Sequence, residues 1–291
     1  MKIGLHGREF PGQSTRLVTR LLDMLKAEGA ELHISAKFLN LIKPRKQDGY
    51  LFRVFEPGAN LKNLDLFISV GGDGTLLESV TYVRKSQVPI LGINTGRLGF
   101  LATTARDELE SSLKQFFKGQ YQVDSRTMLH LVSDSDLFSG FPYALNDFTI
   151  MKKDSSSMIT VQVFIDGEFL NAYWADGLIV ATPTGSSGYS ISCGGPLVSP
   201  QSASFIITPV SPHNLTVRPF VVADSSKLSL VISGRSKKFL VSLDSRVETV
   251  DEYVKLNLRK GSFKVNLVRF RGQHYFKTLR QKLNWGLDVR N

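Results

Sequence analysis

Short apolar bursts separated by glycine and polar residues set the rhythm of the first part of the chain. Ile3 to His6 is one burst, Thr15 to Ala27 follows with apolar side chains at Leu17, Val18, Leu21, Leu22 and Leu25, and Glu31 to Ser35 is the next burst. Spacings of three and four put those five side chains on one face of a helix, so the stretch reads as β-α-β and predicts a parallel sheet. Leu64 to Val70 reads as a further buried strand, Thr75 to Ser86 as a helix, Val88 to Asn94 as the following strand and Asp107 to Phe117 as another helix.

From about Thr127 the pattern changes to many short strands. Val161 to Ile165 alternates, Asp166-Gly167 supplies a hairpin turn, and the chain resumes with Glu168 to Trp174. Leu228 to Ile232, Phe239 to Leu243, Val254 to Leu258 and Phe263 to Phe270 continue the rhythm, with turns expected at Ser233-Gly234 and Lys260-Gly261. Tyr275 to Trp285 returns to a helical spacing. The expected fold class is an α/β N-terminal domain, Rossmann-like with a parallel sheet, followed by a mainly β C-terminal domain built as a β-sandwich. The expected boundaries are residues 1–126 and 127–270, with residues 271–291 packing back on the first domain.

Composition narrows the function classes. Hydrophobic residues make up 42% and charged residues 21% of the 291, as in a folded soluble protein. No apolar run approaches the ~18 residues of a membrane span, and glycines interrupt the N-terminus too early for a secretory signal, so a cytoplasmic protein is expected. A single cysteine, Cys193, excludes an intrachain disulfide and a cysteine-rich zinc site. The formal charge of +10 raises the question of nucleic acid. The basic residues are scattered, however, the densest group being Arg269, Arg271, Lys277, Arg280 and Lys282, and no DNA- or RNA-binding motif accompanies them. Attraction of phosphorylated small molecules fits such a surface better.

Candidate chemistry centres on Gly71-Gly72-Asp73-Gly74-Thr75, which follows an apolar strand and opens a helical segment. In an open α/β sheet ligands sit beyond the carboxyl ends of the strands. Glycines let backbone N–H groups approach an oxyanion, and a helix N-terminus favours phosphate. An aspartate there can accept a proton or hold a metal ion, as phosphoryl transfer requires. Taken alone, the segment fits equally a tight turn in which Asp73 caps the helix. No Gly-Lys dipeptide occurs, which excludes a Walker A loop, and there is no Gly-x-Gly-x-x-Gly fingerprint.

The string Gly71 to Thr75 resembles the signature shared by NAD kinases, diacylglycerol and sphingosine kinases and 6-phosphofructokinases. A second block, running from Asp176 through Ala181-Thr182-Pro183-Thr184-Gly185-Ser186-Ser187-Gly188-Tyr189-Ser190-Ile191-Ser192 to Pro196, is similar to the long motif of NAD kinases. Asn94 to Leu101, Leu145-Asn146-Asp147, Pro212 to Leu215 with Arg218-Pro219, and Leu243-Asp244-Ser245 stand in the same order as in that family. The resemblance spans about Ile68 to Trp285.

The resemblance implies an enzyme that transfers a phosphoryl group from ATP, or from polyphosphate, to the 2′-hydroxyl of the adenosine ribose of NAD, assisted by Mg²⁺ or another divalent ion. It implies a homodimer or homotetramer, with NAD bound between the two domains and across subunits. Asp73 would be the general base, with Gly71, Gly72, Gly74 and Thr75 around the donor phosphates. Asn146 and Asp147 match a pair that holds the ribose or the nicotinamide end. Asp176, Thr184, Ser187, Gly188, Tyr189, Ser190, Ile191 and Ser192 match positions around the dinucleotide, Tyr189 as an aromatic surface for a base, and Phe100 matches an apolar contact to adenine. Asp73 and Gly74 are also expected at the dinucleotide.

Read without the family, Thr182 to Gly188 is small and rich in hydroxyls, which suits either a ribose and pyrophosphate or a plain surface loop. His213 is expected to make a structural hydrogen bond and Cys193 to be a small packing residue. Trp174 stands where a basic residue is frequent in the family, Ser157 where histidine or arginine is, Arg246 where glutamine is common and Asp147 where glutamate is usual. Ser187-Gly188 replaces the more frequent Thr-Ala. Trp174 and Arg246 are counted among the dinucleotide positions, Arg246 as the source of the positive charge that Ser157 and Trp174 do not supply. The alternatives are a lipid or sphingoid kinase sharing the first signature, or a non-catalytic NAD-binding regulator.

Overall fold

The computed structural model describes residues 1–8, 14–43, 49–138, 140–153 and 157–286, with only the backbone described at 14 and 15. The chain forms two compact units, Met1–Ser125 with Val265–Asn291, and Arg126–Lys264.

In the first unit β1 (Lys2–Gly7), α1 (Ser14–Ala27) and β2 (Glu31–Ser35) realise the opening β-α-β pattern. Two elements without a clear periodic signal follow, α2 (Ala36–Ile42) and β3 (Phe52–Phe55). Helix α2 starts because the Ser35 side chain accepts the N–H of Phe38. Then come β4 (Leu66–Val70), α3 (Asp73–Val83), β5 (Ile90–Ile93) and α4 (Leu109–Phe117). The strands pair in the order β5-β4-β1-β2-β3, all parallel. The apolar stripe of α1, Val18, Leu21, Leu22 and Leu25, is buried with Ile3, Leu5, Ile68 and Val70 of the central strands. Burying each such side chain stabilises the fold by roughly 1.5–3 kcal/mol before entropy is counted. Because β1 and β4 lie side by side, their carboxyl ends at Gly7 and Val70 register with each other, which sets the glycine-rich turn at the end of the sheet.

The chain leaves the first unit along β6 (Gln122–Ser133) and builds the second from β7 (Tyr143–Ala144), β8 (Asp147–Lys152), β9 (Ile159–Ile165), β10 (Glu168–Ala175), β11 (Gly177–Ala181), a single turn α5 (Tyr189–Ser192), β12 (Ser204–Val210), β13 (Phe220–Ala223), β14 (Leu228–Gly234), β15 (Lys238–Leu243), β16 (Arg246–Asp251) and β17 (Leu256–Arg269). One antiparallel sheet runs β13-β12-β11-β8-β15-β16, and β10, β9, β14 and the start of β17 pair antiparallel in another. Phe148, Val180, Phe205, Phe239 and Val241 of the first sheet share a buried core with Val161, Val163, Leu228, Leu230 and Leu258 of the second. The α/β domain and the β-sandwich are therefore both present. The hairpin expected at Asp166-Gly167 has both residues at positive φ, 51° and 91°, as a tight two-residue turn demands.

The turn expected at Lys260-Gly261 does not exist. Strand β17 runs unbroken for 14 residues, and Gly261 is needed because a Cβ there would stand 2.9 Å from Met128 Cβ and 3.1 Å from its carbonyl oxygen. After β17 the described chain ends with α6 (Tyr275–Leu283), on which Thr278 and Leu279 are buried.

Candidate functional site

Strand β4 leads into Gly71, whose N–H reaches the Ile93 carbonyl of β5 at 2.9 Å. A Cβ on Gly71 would lie 2.2 Å from Thr75 Oγ1, so only glycine lets the chain turn this closely onto the next helix. The helix begins at Asp73, two residues earlier than its apolar pattern predicts, and Gly72 is the residue at its cap. Asp73 is therefore a first-turn residue rather than the cap. The space beside Gly72 is empty, and the nearest atom beside Gly74 is Arg8 Nη1 at 4.0 Å. Side-chain space is therefore open at Gly72 and Gly74 beside the N-terminus of α3, an arrangement that leaves room for phosphate oxygens.

The Asp73 carboxylate is held by the loop after β5. Its Oδ2 accepts the N–H of Phe100 at 2.8 Å, and its Oδ1 accepts those of Leu101 at 3.0 Å and Ala102 at 2.9 Å. Gly99 makes this possible, for a Cβ there would stand 1.9 Å from Asp73 Oδ1. Asn94 braces the loop, its Nδ2 donating to the Arg97 and Ala102 carbonyls and its Oδ1 accepting the Gly96 N–H. The Phe100 ring lies 6.2 Å from Tyr275 and 5.2 Å from Lys282 Nζ, which also donates to the Leu98 carbonyl.

Three charged residues that the sequence reading did not single out stand beside the turn. Glu78, on α3, receives Arg8 from the end of β1 and Lys37 of α2, the latter at 2.7 Å, with His6 Nε2 3.5 Å away. Burial opposes the Glu78 charge, but His6, Lys37 and Arg8 outweigh it and hold the carboxyl below its usual range. Arg8, Lys37 and Glu78 together carry one net positive charge. Gly7, Arg8, Lys37, Asn40 and Leu41 border a cavity of about 500 Å³. No local spacing reveals these residues, because three separate elements contribute them.

In the second unit Asn146 and Asp147 stand where β8 begins. The Asp244 carboxylate accepts the N–H groups of Leu145, Asn146 and Asp147 at 3.0, 2.7 and 3.3 Å, and the Asp244 N–H returns to the Asp147 carbonyl. Asp147 is 7% exposed and accepts the Thr149 hydroxyl at 3.2 Å. Burial and the neighbouring Asp244 charge push its carboxyl up to about 7. Oδ1 of Asn146 is buried with no hydrogen-bond partner among the described residues, an acceptor that a ligand hydroxyl would satisfy.

The segment Thr182 to Gly188 is not a plain surface loop. Thr182, Thr184, Ser186 and Ser190 are buried, and the backbone forms a 3₁₀ turn over Thr184–Ser187 before α5. The Thr182 N–H and hydroxyl bond the Asn146 and Leu145 carbonyls. Gly188 lies against Asn146 and Asp147, 3.6 Å from Asn146 Nδ2 measured from its Cβ position. The segment and the Asn146-Asp147 pair therefore meet in one place. Arg126 donates to Thr184 Oγ1 at 3.2 Å, and Ser190 bonds Thr208. Ser187 and Ile191 are half-buried and Ser192 is exposed. Tyr189 is 44% exposed, free to present its ring.

Asp176 pairs with Lys152 at 2.6 Å. Trp174 is exposed and meets the His213 ring edge-on, while the His213 N–H bonds the Trp174 carbonyl. Cys193 packs against the small apolar cluster of Ile179, Ala181, Ile206 and Val210. The Arg246 guanidinium donates to the Phe141 and Tyr143 carbonyls and lies over the Phe138 and Phe141 rings.

Two family models match the chain: ATP-NAD kinase N-terminal domain over residues 40–121 and ATP-NAD kinase C-terminal domain over residues 145–270. The chain is 50% identical over 297 residues to a protein named NAD kinase from Cytophaga hutchinsonii and 42% identical over 294 residues to one from Flavobacterium psychrophilum, each alignment covering 100% of both chains. Among solved structures it resembles a yeast NADH kinase complexed with NADH, at TM-score 0.87 and 23% identity over 98% of this chain and 88% of that one, a likeness of fold. It also resembles an NAD kinase from Archaeoglobus fulgidus in complex with ATP, at TM-score 0.73 and 27% identity over 98% and 99% of the two chains. By these matches the chain belongs to the NAD kinase family.

Proposed function

We propose that this chain is an ATP-dependent NAD kinase, moving the terminal phosphoryl group of ATP to the 2′-hydroxyl of the adenosine ribose of NAD to give NADP. The observation that carries the reading is the Asp73 carboxylate, fixed by three backbone N–H groups in a glycine-rich turn at the N-terminus of α3. Phosphoryl transfer asks little covalent chemistry of a protein, so positioning and charge stabilisation dominate. Gly71, Gly72, Gly74 and Thr75 receive the donor phosphates at the start of α3, and Arg8 and Lys37 add positive charge. Oδ2 of Asp73 accepts one N–H and keeps lone-pair capacity for the attacking hydroxyl. An aspartate is a weak base, but it need take the proton only as the metaphosphate-like group arrives.

Asn146 Oδ1 and the Asp147 carboxyl are proposed to bind a dinucleotide hydroxyl. Thr184, Ser187, Gly188, Ser190, Ile191 and Ser192 surround the pyrophosphate and ribose, with Tyr189 and Phe100 against bases. Asp176, Trp174 and Arg246 belong to the same proposed set. Among the described residues no group of three or more His, Cys, Asp or Glu is placed to hold a metal ion. A divalent ion, Mg²⁺ in this proposal, enters with the donor phosphates as part of the substrate. Polyphosphate is a second candidate donor. A homodimer or homotetramer in the cytoplasm completes the proposal, without nucleic acid or membrane as partner; among the described residues no helix is long and apolar enough to cross a membrane.

An end-point assay for NADP with ATP, other nucleotides and polyphosphate in parallel tests the reading. NADP formed from NAD with ATP and Mg²⁺ supports it. Binding of NAD with no NADP from any donor would favour a non-catalytic regulator, and phosphorylation of a lipid in place of NAD would favour a lipid kinase.

A further inference from the structure

We infer that Arg269 is a positioning residue for the catalytic carboxylate, acting through two peptide groups that link it to Asp73. The inference rests on the reading of Asp73 as the base. A trans peptide points its C=O and N–H in opposite directions. The peptide joining Phe100 to Leu101 gives its N–H to Asp73 Oδ1 at 3.0 Å, and its carbonyl oxygen accepts from Arg269 Nη2 at 3.3 Å. The next peptide repeats the arrangement, with the Ala102 N–H on Asp73 Oδ1 at 2.9 Å and the Leu101 carbonyl on Arg269 Nη1 at 3.3 Å. Two consecutive peptide dipoles therefore lie between a guanidinium and a carboxylate, negative ends toward the cation and positive ends toward the anion. Bonds in such a chain polarise one another, and charge-assisted ones are the stronger kind.

The arginine is itself well fixed. Its Nε faces Asp124 Oδ2 at 3.3 Å, and Nη1 also donates to Thr103 Oγ1 at 2.5 Å. The Arg269 and Asp124 side chains are 12% and 16% exposed, so water screens the assembly weakly. A planar fork is required, because one head group spans two carbonyls and a hydroxyl; the point charge of lysine cannot reach all three. Two of the three donors on Asp73 belong to the clamped peptides. Without the guanidinium both peptides lose the donor on their carbonyl side, and the carboxylate is held less firmly in the geometry that aims it at the substrate hydroxyl.

The test compares Arg269→Lys, Arg269→Met and the milder Asp124→Asn with the full-length parent, measuring kcat, KM for NAD and ATP, thermal midpoint, and amide hydrogen exchange at Leu101 and Ala102. A displaced catalytic group costs rate rather than affinity, so Arg269→Lys is expected to lower kcat by about tenfold or more with both KM values within about twofold. Exchange at both amides is expected to speed up in the arginine variants and in Asp73→Asn alike. Millimolar guanidinium ion is expected to restore part of the kcat of Arg269→Met. An unchanged kcat per folded molecule in the variants that fold, or unchanged exchange at Leu101 and Ala102, would overturn the inference and leave Arg269 a purely structural residue. If the parent itself makes no NADP, the proposed function fails, while the exchange data still decide whether Arg269 and Asp73 are linked.

Discussion

Gly99 and Asp73 touch so closely that only a hydrogen fits between them: a Cβ on Gly99 would stand 1.9 Å from Asp73 Oδ1 and 2.6 Å from its Cγ. The carboxylate cannot simply swing away, because three N–H groups of the same loop hold it. Gly99→Ala is expected to displace Asp73 and lower kcat by about 10²-fold, the usual cost of misplacing a catalytic group by an ångström. Steady-state kinetics beside a melting curve checks this. A variant that folds and turns over like the parent would mean that the Asp73 position is not critical.

The buried Asp147 carboxyl gives the folded state a pH dependence. Burial and the Asp244 charge raise it from the ordinary 3.8 to about 7, so between these values the folded chain binds a proton that the unfolded chain has lost. Stability due to this group is full below the lower value and falls as pH rises through the upper one, with a slope of at most about 1.4 kcal/mol per pH unit. Asp147→Asn is expected to flatten that part of the curve. Denaturant titrations of both proteins between pH 5 and 8 check it. Parallel curves for the two would remove Asp147 as the source.

Arg246 holds the carbonyls of Phe141 and Tyr143, in the segment that leads into Asn146 and Asp147. Arg246→Ala is expected to lower the melting temperature, since it leaves carbonyls short of a donor. It is also expected to weaken NAD binding by about tenfold, equivalent to 1.4 kcal/mol. Calorimetric titration with NAD tests the second effect. Unchanged NAD affinity in a destabilised protein would confine Arg246 to the fold.

What the sequence discloses follows from how far apart the partners lie. Strand Glu31–Ser35 and helix α1 were legible because their signals are local apolar spacings, and the glycines around Asp73 were legible as a motif. Helix α2 has only seven residues and β3 exposes two of its four, so neither carries a strong period. Gly261 looks like a turn in the sequence because the atoms it makes room for belong to Met128, on another strand. The holding of Asp73 was hidden for a further reason. Its donors are backbone N–H groups 27 to 29 residues away, and nearly every residue type carries such a group. Arg269 lies still farther along the chain, and a guanidinium bonded to carbonyls leaves no mark on the residues that supply them.

In the proposed reaction Asp73 takes the proton from the NAD hydroxyl. The most direct measurement is turnover of Asp73→Asn with ATP and Mg²⁺, together with its dissociation constant for NAD. The substitution keeps the shape of the side chain and removes its basicity. The expected result is a kcat lower by about 10²–10⁴-fold, the span of a general base, with NAD binding changed by no more than a few-fold. Turnover near that of the parent would mean that Asp73 is not the base.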